Sequence, residues 1–349
     1  MDITAVYETA QMHMLTAICA MSLESAGVKD EGFTQAMAKA VRKNVQFDID
    51  RAQILEHLEK AGIWYMPLKG SVLKELYPKY GMRQMSDNDI LFDSSRAEGV
   101  RQIMESMGFT TKHFGHGNHD VYFKKPVSNF EMHTSIINHN DERFFEYYRN
   151  VKDRLIKDEG NDYGYHFSDE DFYIFMTVHE YKHYSGSGTG LRSVLDTYVY
   201  LTKLGDRLDM EYIEEECKKL GIAEFERQNR SLAMDLFGAK KLSAEDKEML
   251  RYIAFSGTYG SFENSVSNRV AKYGSGRFAK IKYTVGRLTV PINEKDSRYG
   301  IYRSFYPWFY EKKYRLPLLF FYRLFVGVTS GRRKVMGEIR VLLKHKSDQ

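Results

Sequence analysis

Residues 67–93 read PLKGSVLKELYPKYGMRQMSDNDILFD, and the fold of the chain turns on how this stretch is understood. An apolar, strand-like opening ends at Leu68-Lys69-Gly70-Ser71 and runs straight into VLKELY, so a strand is expected to turn at once into a helix. Backbone N–H groups at such a turn lack partners and suit an anion such as a phosphate. Gly70 permits close approach, Ser71 adds a hydroxyl donor and Lys69 adds a positive charge. Further on, Asp87 and Asp89 are two apart in a segment that continues as ILF. Strand alternation puts both carboxylates on one side and Ile90 and Phe92 on the other. Two hard oxygen ligands side by side form half of a magnesium site, which phosphate and water complete. Arg83, just ahead of this strand, offers a fork of donors to a polyphosphate. The ordinary alternatives are a helix cap at Ser71 and a solvated strand end at the Asp pair.

Downstream, NFEMHTSI (129–136) also alternates, so Glu131 and His133 share one face while Phe130 and Met132 share the other. Glu131 is the candidate third carboxylate. Asp93 and Asp120 compete for that role, and Asp93 ranks lower because it lies further along the strand than Asp89. His133 reads as a hydrogen bonder rather than a catalytic base. Acidic groups around two metal ions are what in-line phosphoryl chemistry demands. One ion and a base activate the attacking hydroxyl, and the other holds the triphosphate and the leaving pyrophosphate.

Taken together, LKGSVLKELYP, MRQMSDNDILF and FEMHTSI, and more weakly HEYKHY and LRSVLDTYVYL, resemble the nucleotidyltransferase superfamily that includes DNA polymerase beta and the aminoglycoside nucleotidyltransferases. Within it the resemblance is to the group labelled uncharacterised nucleotidyltransferases, over roughly residues 50–205. It implies a Gly-Ser turn at Gly70 and Ser71, a metal pair at Asp87 and Asp89, and a third carboxylate at Glu131. It also implies a helix after the catalytic sheet from which Lys182 or His183 faces the triphosphate. The fold class expected is α+β, a small mixed β-sheet nucleotidyltransferase core with a flanking, mainly helical domain. The activity expected is Mg2+-dependent transfer of a nucleoside monophosphate from a triphosphate, ATP among them, to a hydroxyl acceptor, at a two-metal site of Asp87, Asp89 and Glu131. Sugar, antibiotic, protein side chain and RNA end all remain open as acceptors.

Two readings compete. His179, Glu180 and His183 in HEYKH match H-E-x-x-H, the zinc-hydrolase helix whose two histidines bind metal one turn apart, although no third ligand follows. A binding protein that keeps the nucleotidyltransferase fold without its activity is the other. Asp196, one turn from Arg192, reads as a structural ion-pair partner for it.

At 349 residues the chain exceeds one ordinary core. Three parts are expected: N-terminal helices over 1–50, the catalytic α/β core over 51–165, and a mainly helical domain over 166–349 ending in a basic, aromatic tail. Glycine and serine between Gly257 and Gly276 suggest a loop or lid. A net charge of +4 is too small to imply nucleic-acid binding without clustering. Two cysteines, Cys19 and Cys217, with no CxxC spacing, and no secretory start point to a reducing cytoplasm. LPLLFFYRLFVGV (316–328) contains Arg323 and falls short of a spanning helix. The tail around it fits three uses: a packing element with snorkelling basic side chains, a peripheral contact with an anionic membrane, or a platform for RNA.

Overall fold

Five short segments rich in aromatic and β-branched residues pair into one mixed sheet in the computed structural model, which describes residues 2–115, 117–139, 141–296 and 298–344. The strands are β1 (Tyr65–Leu68), β2 (Asn88–Phe92), β3 (Thr110–His113), β4 (His119–Lys124) and β5 (Ser128–His133), in the spatial order β1-β2-β5-β4-β3. Only β2 and β5 run parallel; β1 on β2, β4 on β5 and β3 on β4 are antiparallel. The protein is thus α+β, a small mixed sheet set among many helices.

Around the sheet run α1 (Ile3–Met12), α2 (Thr16–Ser25), α3 (Glu31–Lys60), α4 (Gly70–Leu73), α5 (Ala97–Ser106) and α6 (Glu142–Tyr147). They are followed by α7 (Asp169–Gly186), α8 (Leu191–Leu204), α9 (Met210–Lys219), α10 (Ala223–Phe237) and α11 (Ala244–Ser256). The long helix α3 begins where the Asp30 carboxylate accepts the Phe33 N–H at 3.0 Å, which satisfies an orphan donor of the first turn. Phe33, Ala40, Phe47 and Ile54 recur every seven residues and are buried, so one stripe of the helix faces inward. Ile54 and Leu58 pack with Val100 and Met104 of α5 against Tyr65, Ile90, Phe92, Phe130 and Met132 on one side of the sheet. Each such side chain contributes about 1.5–3 kcal/mol by leaving water.

The opposite face presents Met66, Leu68 and Leu91, which pack with Phe172, Tyr173, Phe175 and Val178 of α7, Tyr200 of α8, and Ile213 and Cys217 of α9. Covered on both faces, β2 is buried at all five positions. Contacts divide the chain into one unit of residues 1–182 and 190–258 and a second of 183–189 and 259–349. Helix α3 is continuous through residue 50, where a boundary is expected from sequence, and residues 166–182 and 190–258 belong to the same unit as the sheet. The physical reason is the second apolar face of the sheet, whose core α7, α8 and α9 share with Phe144, Tyr148 and Val151.

The second unit contains α12 (Phe262–Ala271), α13 (Gly276–Leu288), α14 (Tyr299–Phe305), α15 (Pro307–Tyr310), α16 (Leu316–Val328) and α17 (Arg332–Lys344). The loop expected over Gly257–Gly276 is corrected here. It holds α12, started by the Ser261 hydroxyl accepting the Asn264 N–H at 3.0 Å and anchored by buried Val266. No described helix is long and apolar enough to cross a membrane.

Candidate active site

The parallel pairing of β2 and β5 sets Asp89 directly opposite Glu131. Because side chains alternate, His133 follows Glu131 onto the same face, and antiparallel β4 brings His119 opposite His133. Asp87 lies just before β2 at the mouth of this cluster. The Asp89 carboxylate is 4% exposed and is flanked at Oδ1 by Lys69 Nζ at 2.9 Å and His133 Nε2 at 2.8 Å. Glu131 Oε2 lies 3.6 Å from His119 Nε2 and 3.7 Å from His133 Nε2. Sequence reasoning missed His119, and only the strand register reveals it.

The charges are unequal in their surroundings. Burial pushes Asp89 up, but Lys69 and the hydrogen bond from His133 outweigh it and hold the carboxyl well below the usual range. Asp87 is raised by burial and by Asp89, against the pull of Lys69, Arg192 and Lys43. Burial together with Asp89 and Asp87 pushes Glu131 up to about 7. Burial, His133 and Lys69 bring His119 down to about 4. Negative charge at Asp87 and Glu131 is therefore left without sufficient compensation, which is the condition a bound cation relieves. His119, Glu131 and His133 also form a group whose possible ligand atoms lie within 4.8 Å of one another.

At the turn after β1, Lys69 has φ +48° and ψ −113°, a region that glycine normally occupies. Holding a lysine there costs on the order of 1–3 kcal/mol, and the strained residue is the one that reaches Asp89. Lys182 on α7 is half-buried, and its pKa is lowered by burial and by the neighbouring Lys69, against Asp141. Two ammonium groups close enough to repel favour an anion between them.

Other expected phosphate contacts have different surroundings. The Ser71 hydroxyl is buried and donates to the Leu68 carbonyl at 2.8 Å. A Cβ on Gly70 would lie 2.5 Å from Arg83 Nη1 and 2.7 Å from Met85 Sδ, so the glycine is required by packing rather than by approach of a ligand. Arg83, expected to offer its fork of donors to a polyphosphate, is buried with that fork turned inward. Its Nε and Nη2 donate to Asp196 at 2.7 and 2.8 Å, and the Tyr77 hydroxyl joins them at 2.7 Å. Asp196 thus holds Arg83 rather than Arg192, whose Nη1 donates to the Gln84 carbonyl at 3.0 Å. Asp93 caps a turn by accepting the Ser95 N–H at 3.1 Å, and Asp120 accepts the Gly115 N–H at 2.7 Å. Both carboxylates serve local backbone.

In HEYKH, Glu180 is 3% exposed and its Oε2 accepts from Asn229 Nδ2 at 2.9 Å, inside the packing of α7 on α10. A zinc-hydrolase glutamate must instead face the metal-bound water. Among the described residues the metal-ligand groups of three include neither His179 nor His183. Burial pushes Glu180 up to about 8 from 4.5. Its folded form holds the proton more tightly than the unfolded chain, so this carboxyl subtracts stability as pH rises from about 4.5 through 8. Glu180→Gln is expected to raise the thermal midpoint at about pH 9, by the equivalent of a few kcal/mol, and to change little at about pH 5. Melting curves at the two pH values check this, and equal shifts at both would refute it.

Residues 1–238 match a family described as "Uncharacterised nucleotidyltransferase". No curated protein matches. Among solved structures, an antigenic nucleotidyltransferase-like protein from Paracoccidioides brasiliensis is 15% identical with a TM-score of 0.36, over 55% of this chain and 92% of that one.

Proposed function

This chain belongs to the uncharacterised nucleotidyltransferases, and from that premise we propose that it moves a nucleoside monophosphate from a triphosphate to a hydroxyl acceptor at Asp87, Asp89 and Glu131, with Mg2+. The observation that carries the reading is the register of Asp89 opposite Glu131 on adjacent parallel strands, with Asp87 at the strand mouth. The donor set fits the ion: Asp89 faces Glu131 across the parallel pair, and Asp87 and Glu131 are both raised, by burial first and then by the charge of the neighbouring carboxylates. Asp87, Asp89 and Glu131 would hold it. When bound, such ions neutralise the triphosphate and stabilise the attacking and leaving oxygens.

The chain's own residues do the rest. Lys69 and Lys182 would place positive charge on the triphosphate tail. An acceptor hydroxyl oxygen bonds to the α-phosphorus as the bond to the bridging oxygen breaks and pyrophosphate leaves. The hydroxyl proton would pass to Glu131, which burial and the neighbouring Asp89 and Asp87 make a readier proton acceptor than an ordinary carboxylate. His133 orients Asp89, and both side chains are buried.

The test is incubation of the protein with α-labelled triphosphates, Mg2+ and a cell extract, followed by identification of whatever becomes labelled. Label is expected with the parent protein and not with Asp87→Asn. Absence of both label and Mg2+-dependent triphosphate binding would sink the reading. Because two imidazoles also face Glu131, Mn2+ and Zn2+ are run beside Mg2+. Stoichiometric zinc lost on changing His179 or His183 would favour the hydrolase instead.

A further inference from the structure

Helix α16 turns its apolar residues outward. Leu318, Phe321, Tyr322, Phe325 and Val328 follow one another at helical spacing and are 53%, 65%, 47%, 67% and 73% exposed. The inward stripe is Leu316 and Leu319, both buried, and then Arg323, whose Nη2 donates to the Arg287 carbonyl at 2.8 Å and which lies over the Tyr302 ring at 4.8 Å. The helix is docked on its own unit through a mixed inner stripe while its outer stripe is aliphatic and aromatic. Isolated exposed apolar side chains are ordinary; a continuous face marks an interaction surface.

The setting of that face is strongly basic. Residues 259–349 carry nineteen Lys and Arg against six Asp and Glu, whereas residues 1–258 carry 32 against 41. Lys312 and Lys313 lie exposed just before α16, and Arg332, Arg333 and Lys334 just after it. Trp308, 53% exposed, lies on the preceding short helix with the Arg315 guanidinium over its ring at 4.2 Å. At 13 residues α16 is about 20 Å long, too short to span a bilayer core of about 30 Å.

We propose that α16 lies flat in the interface of an anionic lipid bilayer, with Phe321 and Phe325 inserted among the acyl chains and the flanking lysines and arginines at the headgroups. Charge complementarity selects an anionic surface, and the outward stripe selects a bilayer over RNA. Nucleic acid is bound by rings spaced among basic groups, and aliphatic Leu318 and Val328 have no base to stack on. An interfacial helix needs this combination of an apolar face and basic flanks. The proposal is independent of the nucleotidyl-transfer reading, since residues 259–349 lie outside the family match.

The experiment is co-sedimentation of the full chain with vesicles of phosphatidylcholine, with and without phosphatidylglycerol. Binding is expected only when phosphatidylglycerol is present and should weaken as salt rises. Phe321→Glu with Phe325→Glu is expected to lower partitioning at least about tenfold, and Lys312→Glu with Lys313→Glu to lower it as well. Both pairs are exposed, so the far-ultraviolet dichroism should match the parent. Trp308 fluorescence, read in Trp64→Phe, should be quenched by brominated acyl chains in the mixed vesicles. Equal partitioning of the phenylalanine variant, equal binding to both vesicle types, RNA binding that needs the lysines but not the phenylalanines, or a self-association lost with Phe321→Glu in place of vesicle binding would each overturn it.

Discussion

Asp89→Asn is expected to cut labelling of any acceptor by roughly 10²–10³-fold or more, and to abolish Mg2+-dependent triphosphate binding. Asp89 is the innermost carboxylate of the cluster, held ionised by Lys69 and His133, and Asn offers those partners no negative charge. Two consequences must be separated. Loss of the carboxylate removes the ligand for the dications, and it also leaves Lys69, in its strained backbone, facing a neutral amide. The second effect lowers stability by about 1–3 kcal/mol, the usual cost of a buried charged group deprived of its partner. Urea unfolding of Asp89→Asn separates the two, because the stability loss is read there while labelling is compared under conditions in which the variant is fully folded. If Asp89→Asn retains parental labelling while folded, Asp89 is not a metal ligand and the proposed chemistry fails.

The largest effect on stability is expected from Asp196→Ala. Asp196 accepts two bonds from Arg83 and one from Tyr77, all inside the protein, and Arg192 lies close by. Removing the carboxylate strands the buried Arg83 guanidinium beside a second guanidinium, a loss of about 3–5 kcal/mol. Urea unfolding measures it. A hydrophobic replacement of both partners, Arg83→Met with Asp196→Leu, is expected to recover much of the loss, since the penalty comes from an unpaired charge rather than from the absence of a pair. If the double variant is as unstable as Asp196→Ala, or if Asp196→Ala costs under about 1 kcal/mol, the ion pair is not the source of stability at this position. The same ion pair sharpens the assignment of Arg83: its Nε and Nη2 are engaged in holding the segment ahead of β2 to α8, and Gly70 must lack a side chain to let it pass.

How much of this was legible beforehand depended on the range of the interaction that fixes each feature. The strands β1, β2 and β5 and the shared face of Glu131 and His133 all follow from local alternation and turn residues, which one stretch of chain carries by itself. The helix within Gly257–Gly276 was obscured because its glycines and serines flank and cap a turn-rich start that looks like a loop. Arg83 and Asp196 are 113 residues apart, so no periodicity links them, and a basic side chain ahead of an acidic strand reads naturally as a phosphate ligand. Likewise HEYKH satisfies a zinc motif by spacing, while the direction in which Glu180 points depends on α10.

By itself, the order of residues determined strands β1, β2 and β5 and that Asp87, Asp89 and Glu131 could share one side of a sheet, because side-chain period is a property of adjacent residues. Only the tertiary structure decided that β2 and β5 run parallel with Asp89 opposite Glu131, that His119 joins them, and that Arg83 turns inward. Those outcomes depend on strand pairing and on which charges are buried together, and such energies exist only once distant segments meet.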